Sequence, residues 1–103
     1  MGQTRSLKLR YTIPALADLS AILDYIAVRS PHGARRVQAR IKTLTELLLV
    51  HPHIGRRTDD PTIRRIATTP YPYLIFYEVT ASEIIIHAVR RAARHPSGMP
   101  GSA

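Results

Sequence analysis

Tyr71-Pro72-Tyr73-Leu74-Ile75-Phe76-Tyr77-Glu78-Val79 is the stretch that decides the fold of this 103-residue chain. It holds three of the five tyrosines and the only phenylalanine, and aromatic and β-branched side chains favour a pleated, half-buried surface. Alternation puts Tyr73, Ile75 and Tyr77 on one face and Leu74 and Phe76 on the other. Both faces are largely apolar, which predicts a strand in the middle of a sheet with material on both sides. Pro72 marks its start, because proline is tolerated at the first position of a strand.

The neighbouring segments supply the rest of a sheet. Thr80-Ala81-Ser82 reads as a turn, and Glu83 to Val89 as a further strand whose run Ile84-Ile85-Ile86 predicts burial on both faces. Upstream, Ile63 to Thr68 is a strand that reaches the central one through the stiff link Thr69-Pro70-Tyr71-Pro72. The loop-forming residues Gly55, Asp59, Asp60 and Pro61 predict a loop over 53–61. Three strands joined this closely form an antiparallel meander.

The first half of the chain changes period. Leu7 to Ile13 alternates as a strand, with Leu7, Leu9 and Tyr11 against Lys8, Arg10 and Thr12. Thr12 and Pro14 supply a cap and a first-turn proline for a helix ending near Arg29. Its stripe is Leu16, Leu19, Leu23 and Ile26, flanked by Ile22, with Asp18 and Asp24 off the stripe and solvated. Ser30-Pro31 starts a second helix with almost no loop, carrying Ala34, Val37, Ile41, Leu44 and Leu48 as far as His51-Pro52. Helices joined so tightly form an antiparallel hairpin. The expected class is therefore α+β, in the order β-α-α-β-β-β, with the hairpin across one sheet face. Two helices cover one side, while the middle strands are apolar on both. The uncovered face predicts an interaction surface.

One domain is expected over 7–95, between flexible segments at 1–6 and 96–103. Cys 0 excludes disulfides and thiol catalysis. No apolar run approaches a membrane span and no signal peptide is legible. Gly2 and Ser6 fit a myristoylation pattern short enough to arise by chance. The default expectation is a cytoplasmic protein. Lys plus Arg 15 against Asp plus Glu 7 gives +8, a surface that attracts polyanions or acidic proteins, or that reflects arginine-rich codon usage.

Little in the sequence announces chemistry. His51 and His53 flank a proline without a third ligand at sensible spacing, so no metal or cofactor is expected. His87 reads as a hydrogen-bonded sheet histidine, and Glu78 and Glu83 as residues solvating a turn. The candidate site is the set Arg64, Arg65, Arg90, Arg91 and Arg94 beside Tyr73 and Tyr77. Cations with aromatics bind single-stranded RNA or clamp acidic protein side chains. A scattered, solvated charge set is the third reading, since neighbours such as Arg64 and Arg65 point to opposite faces.

The residues Asp18-Leu19, Tyr25-Ile26, Pro52-x-x-Gly55-Arg56, Arg64, Tyr73 to Tyr77 and Ile84 to Arg90, in this order, resemble the RelE/ParE superfamily of toxins from bacterial type II toxin–antitoxin modules. The resemblance covers roughly residues 7–95. It implies a small cytoplasmic toxin in a hetero-oligomer with an antitoxin, whose C-terminal segment covers toxin surface. The RelE branch consists of ribosome-dependent mRNA endonucleases and typically carries an arginine where this chain has Leu74. It often carries a late tyrosine, for which His95 would have to substitute. The ParE branch has an aliphatic residue at the Leu74 position and a long helical hairpin, as here, and inhibits DNA gyrase without hydrolysis. The resemblance therefore favours a plasmid-stabilisation-type, ParE-like gyrase inhibitor held by an acidic, ParD-like antitoxin, with no catalytic residues. The alternative is a RelE-like ribonuclease using Arg64, Arg65, Arg90 or Arg91 with His95, in which nucleic acid would be bound directly.

Overall fold

A computed structural model describes residues 6–92. Apart from Ser6, the segments expected to be flexible lie outside these residues, as do Arg94 and His95. The elements are β1 (Lys8–Tyr11), α1 (Ile13–Arg29), α2 (Pro31–Val50), β2 (Arg56–Arg57), β3 (Ile63–Ala67), β4 (Tyr73–Val79) and β5 (Glu83–Arg91). They build one five-stranded sheet in the order β1-β5-β4-β3-β2. The expected meander is its centre, and β1 returns to pair in parallel with β5. The class and element order match the sequence reading, with β2 added inside the expected loop.

The hairpin forms without a connecting loop because Ser30 serves both helices. Its N–H closes α1 on the Ile26 carbonyl at 2.8 Å, and its Oγ accepts the Gly33 N–H at 2.9 Å to cap α2. Thr12 caps α1 by accepting the Ala15 N–H at 3.2 Å. A hydroxyl at each start satisfies a backbone donor that has no partner within the helix.

The helices pack on the face of β4 that carries Tyr73, Ile75 and Tyr77. The core joins these to Val37, Ile41, Leu44 and Leu48 of α2, Ala15 of α1, and Ile84, Ile86 and Val89 of β5. Each buried aliphatic side chain contributes about 1.5–3 kcal/mol. The stripe of α1 is as expected at Leu19, Ile22, Leu23 and Ile26, which pack against the core, and differs at its first position. Ala15 is fully buried and Leu16 is 50% exposed, because α1 lies along β5 and the small Ala15 side chain allows that approach. Thr45 is buried as well, its hydroxyl donating to the Lys42 carbonyl at 2.9 Å.

A β-bulge explains the continuous apolar run of β5. Tyr77 pairs with Ile86 and Phe76 with Ala88, so His87 is the extra residue. The inserted residue shifts the phase of the strand: Ile84 and Ile86 face the helices before it, and Val89 after it. Ile85 and Ala88 fall on the opposite face, and β5 runs on to Arg91 rather than ending at Val89. Asp18, expected to be solvated, instead accepts the Val89 N–H at 3.1 Å. Its position follows from β1, whose pairing with β5 stops at Ile86. Beyond that point the edge of β5 needs another acceptor.

Replacing Asp18 with alanine should cost about 1–3 kcal/mol, the range for a part-buried donor left unpaired, read by urea unfolding. A loss too small to measure would show that water serves Val89 equally well. Leu44→Asp should abolish cooperative unfolding, since it buries a charge between helix and sheet.

Candidate partner-binding face

The pleat that sends Tyr73, Ile75 and Tyr77 under the helices sends Leu74, Phe76 and Glu78 to the other side. Residues directly paired across strands project to the same face, so the register fixes what stands beside them. One row runs Arg56, Arg65, Phe76, Ala88 across β2, β3, β4 and β5. The next holds Ala67, Leu74 and Arg90, and a third Ile63, Glu78, Ile85 and Arg10. No helix covers this face among the described residues. Its middle is apolar and its rim is basic.

Carboxylates neutralise that basic rim only in part, at Arg10. Glu83 pairs with Arg10 at 3.1 Å, Glu46 with Lys42 at 3.6 Å, and Glu78 with His87 at 2.8 Å. Asp60 accepts from the backbone and hydroxyl of Thr62, and these bonds hold its carboxyl below the usual carboxylate range. Arg56, Arg65 and Arg90 have no ion pair among the described residues. In the ladder β2–β3, Arg56 stands opposite Arg65 and Arg57 opposite Arg64. Like charges directly opposed destabilise a sheet, so the fold carries a conflict that an anionic partner would relieve.

The candidate residues that the structure describes do not converge. Arg65 and Arg90 lie on the open face, whereas Arg64 and Arg91 lie on the helix side, as the pleat requires of neighbours. Arg64 is a clamp: its Nη1 donates to the carbonyls of Gly55 at 2.9 Å and His53 at 3.3 Å. Tyr73 and Tyr77 are corrections to the expected contact surface. They are 6% and 0% exposed and belong to the core, because the hairpin covers their face. Arg94 lies outside the described residues. Arg56, which carries part of the family resemblance but stood outside the candidate set, joins this face through a strand two residues long with no apolar alternation to announce it.

Tyr77 nevertheless shapes the site from behind. Its hydroxyl donates to the Pro52 carbonyl at 2.8 Å and accepts the Gly55 N–H at 2.9 Å. A Cβ at Gly55 would lie 2.5 Å from that hydroxyl oxygen and 2.8 Å from the Arg65 carbonyl. Glycine is therefore required by close approach, and the loop before Arg56 is held by Tyr77 below and Arg64 beside it. A second surface lies on α1, where Ile13, Leu16, Tyr25 and Val28 are exposed and Arg29 sits 4.5 Å over the Tyr25 ring. Among the described residues, no helix is long and apolar enough to cross a membrane.

The family model described as ParE toxin of type II toxin-antitoxin system, parDE, matches residues 9–96. Toxin RelE2 of Caulobacter vibrioides is 42% identical over 84 residues, covering 82% of this chain and 93% of that one. Putative toxin Y4kP of Sinorhizobium fredii is 30% identical over 89 residues, covering 86% and 93%. The chromosomal ParDE TA system from P. aeruginosa contains a chain that superposes with a TM-score of 0.74 at 26% identity, over 87% of this chain and 100% of that one. The fold is shared at a TM-score of 0.59 and 20% identity with an E. coli toxin RelE mutant solved in complex with an antitoxin RelBc peptide, over 89% and 90% of the two chains.

Tyr77→Phe should destabilise the domain by about 1–3 kcal/mol, through the orphaned Gly55 N–H and Pro52 carbonyl. Burial also raises the Tyr77 hydroxyl above its ordinary value of 10.0. A raised folded value favours the neutral phenol in the native state. Its stabilisation is complete below pH 10 and is lost as pH rises through the folded value. Alkaline denaturation followed by circular dichroism should therefore be shallower in Tyr77→Phe than in the parent; equal slopes would remove Tyr77 from the account.

Proposed function

This chain belongs to the ParE toxin family of type II toxin–antitoxin systems, within the RelE/ParE superfamily, and we propose that it acts by binding and inhibiting DNA gyrase in the cytoplasm. A ParD-like antitoxin with an acidic C-terminal segment neutralises it by covering the open sheet face. The observation that carries this reading is the composition of that face. Unneutralised arginines surround Leu74 and Phe76, an arrangement suited to a protein partner that combines carboxylates with apolar side chains.

Support for binding over bond cleavage comes from Leu74 and from the scattering of the arginines. Leu74 lies on the open face near the start of β4, opposite Arg90. A phosphoryl-transfer site needs a cation where charge develops in the transition state, and leucine supplies none. Of the arginines a ribonuclease reading would use, Arg64 is committed to the Gly55 and His53 carbonyls and Arg91 lies on the other side of the sheet. His87, the histidine of this face, is hydrogen-bonded to Glu78.

Supercoiling by purified gyrase should fall on addition of this protein, with cleaved DNA accumulating, and should recover on addition of the antitoxin. Unimpaired supercoiling, together with mRNA cut at ribosomes soon after induction in bacteria, would replace gyrase inhibition with the ribonuclease alternative.

A further inference from the structure

We infer that the depression between the segment before β2 and the ends of β3, β4 and β5 is a preformed receptor for one side-chain pair of the antitoxin: a large aliphatic side chain beside a carboxylate. The inference rests on the reading that a protein neutralises this toxin through its open sheet face. It adds where that protein anchors and what chemistry it must bring.

The depression measures about 510 Å³ and is lined by Ile54, Arg56, Arg65, Ala67, Leu74 and Ala92 among others. Its apolar side is built from Ile54, which is 47% exposed, with Leu74 and two alanines whose small side chains leave the space open. Its basic side is the opposed pair Arg56 and Arg65, neither of which makes an ion pair among the described residues. An occupant therefore has to fill an aliphatic cleft and place negative charge between two guanidiniums. A leucine, isoleucine or methionine next to Asp or Glu does both. Carboxylate recognition by arginine is bidentate and directional.

The receptor exists before the partner arrives. Ile54 and Arg56 flank Gly55, whose N–H is held by Tyr77 and whose carbonyl by Arg64. Fixing the wall from beneath lowers the ordering cost of binding. Arg64 is thus a positioning residue, its charge spent on backbone carbonyls, while Arg56 and Arg65 keep theirs for the occupant.

The same geometry disfavours nucleic acid. Single strands are held by stacking bases on aromatic faces along a basic track. The aromatic of this face, Phe76, does not line the depression. It lines a separate recess with Arg57, Asp59 and Arg65, so a base stacked on Phe76 would leave the aliphatic cleft empty.

The test is calorimetric titration of the full-length toxin, stripped from its co-purified complex and refolded, with the purified antitoxin. Arg56→Glu reverses charge and Ala67→Trp fills the cleft, both at exposed positions; Ile54→Asp replaces Ala67→Trp if melting curves show that variant misfolded. Each should raise the dissociation constant at least about tenfold with no fall in melting temperature, whereas Arg35→Glu on α2 should leave the dissociation constant unaltered. Replacing the antitoxin carboxylate that meets Arg56 by arginine should restore affinity to Arg56→Glu. Parental affinity in both receptor variants would overturn the assignment. So would intact antitoxin binding with loss of binding to a fluorescent 12-mer of single-stranded RNA or DNA. Antitoxin affinity is measured without gyrase, so a failed supercoiling assay would strike the proposed target and leave this receptor standing.

Discussion

The pleat of β4 is the constraint from which the rest follows. Successive side chains of a strand leave on opposite faces, and Tyr73, Ile75 and Tyr77 are committed to the space beneath the helical hairpin. Leu74 and Phe76 must then stand on the side the hairpin does not reach. A register slip of one residue would exchange the two sets and expose the core. The bulge at His87 keeps β5 in step with both demands. The open face is thus a product of the core: the chain cannot bury one without presenting the other.

Charge makes that face more than leftover surface. A net charge of +8 is compatible with a scatter of solvated arginines, and several here are of that kind. The ladder β2–β3 is different, because two arginine pairs oppose each other across adjacent strands. One member, Arg64, is absorbed by backbone carbonyls, and the others keep their charge. Local repulsion of this sort persists where another molecule supplies the compensating charge. On the proposed reading, occupation of this surface distinguishes the neutralised from the active toxin.

Much of the fold was legible in the sequence, and less of the site. The β4 alternation, the caps at Thr12 and Ser30 and the three-four stripe of α2 are local signals that tertiary structure did not override. The stripe of α1 was legible except at its start, where Leu16 and its neighbour Ala15 both fit the spacing to Leu19 and only the approach to β5 chooses between them. Asp18 looked solvated because its acceptor role depends on where β1 stops. The parallel return of β1 to β5 joins residues more than seventy positions apart, which no local pattern encodes. At the site, alternation separated Arg64 from Arg65. It gave no warning that the hairpin would bury Tyr73 and Tyr77, or that Arg56 would pair into the sheet.

The open face of the sheet, not the exposed apolar side of α1, is the surface proposed to meet the antitoxin. Nuclear magnetic resonance of the labelled toxin, alone and saturated with antitoxin, separates the two surfaces in one titration. The account predicts the largest shifts and new side-chain contacts at Ile54, Arg56, Arg65, Leu74, Phe76 and Arg90. Perturbation confined to Ile13, Leu16, Tyr25 and Val28, with Leu74 and Phe76 unmoved, would contradict it.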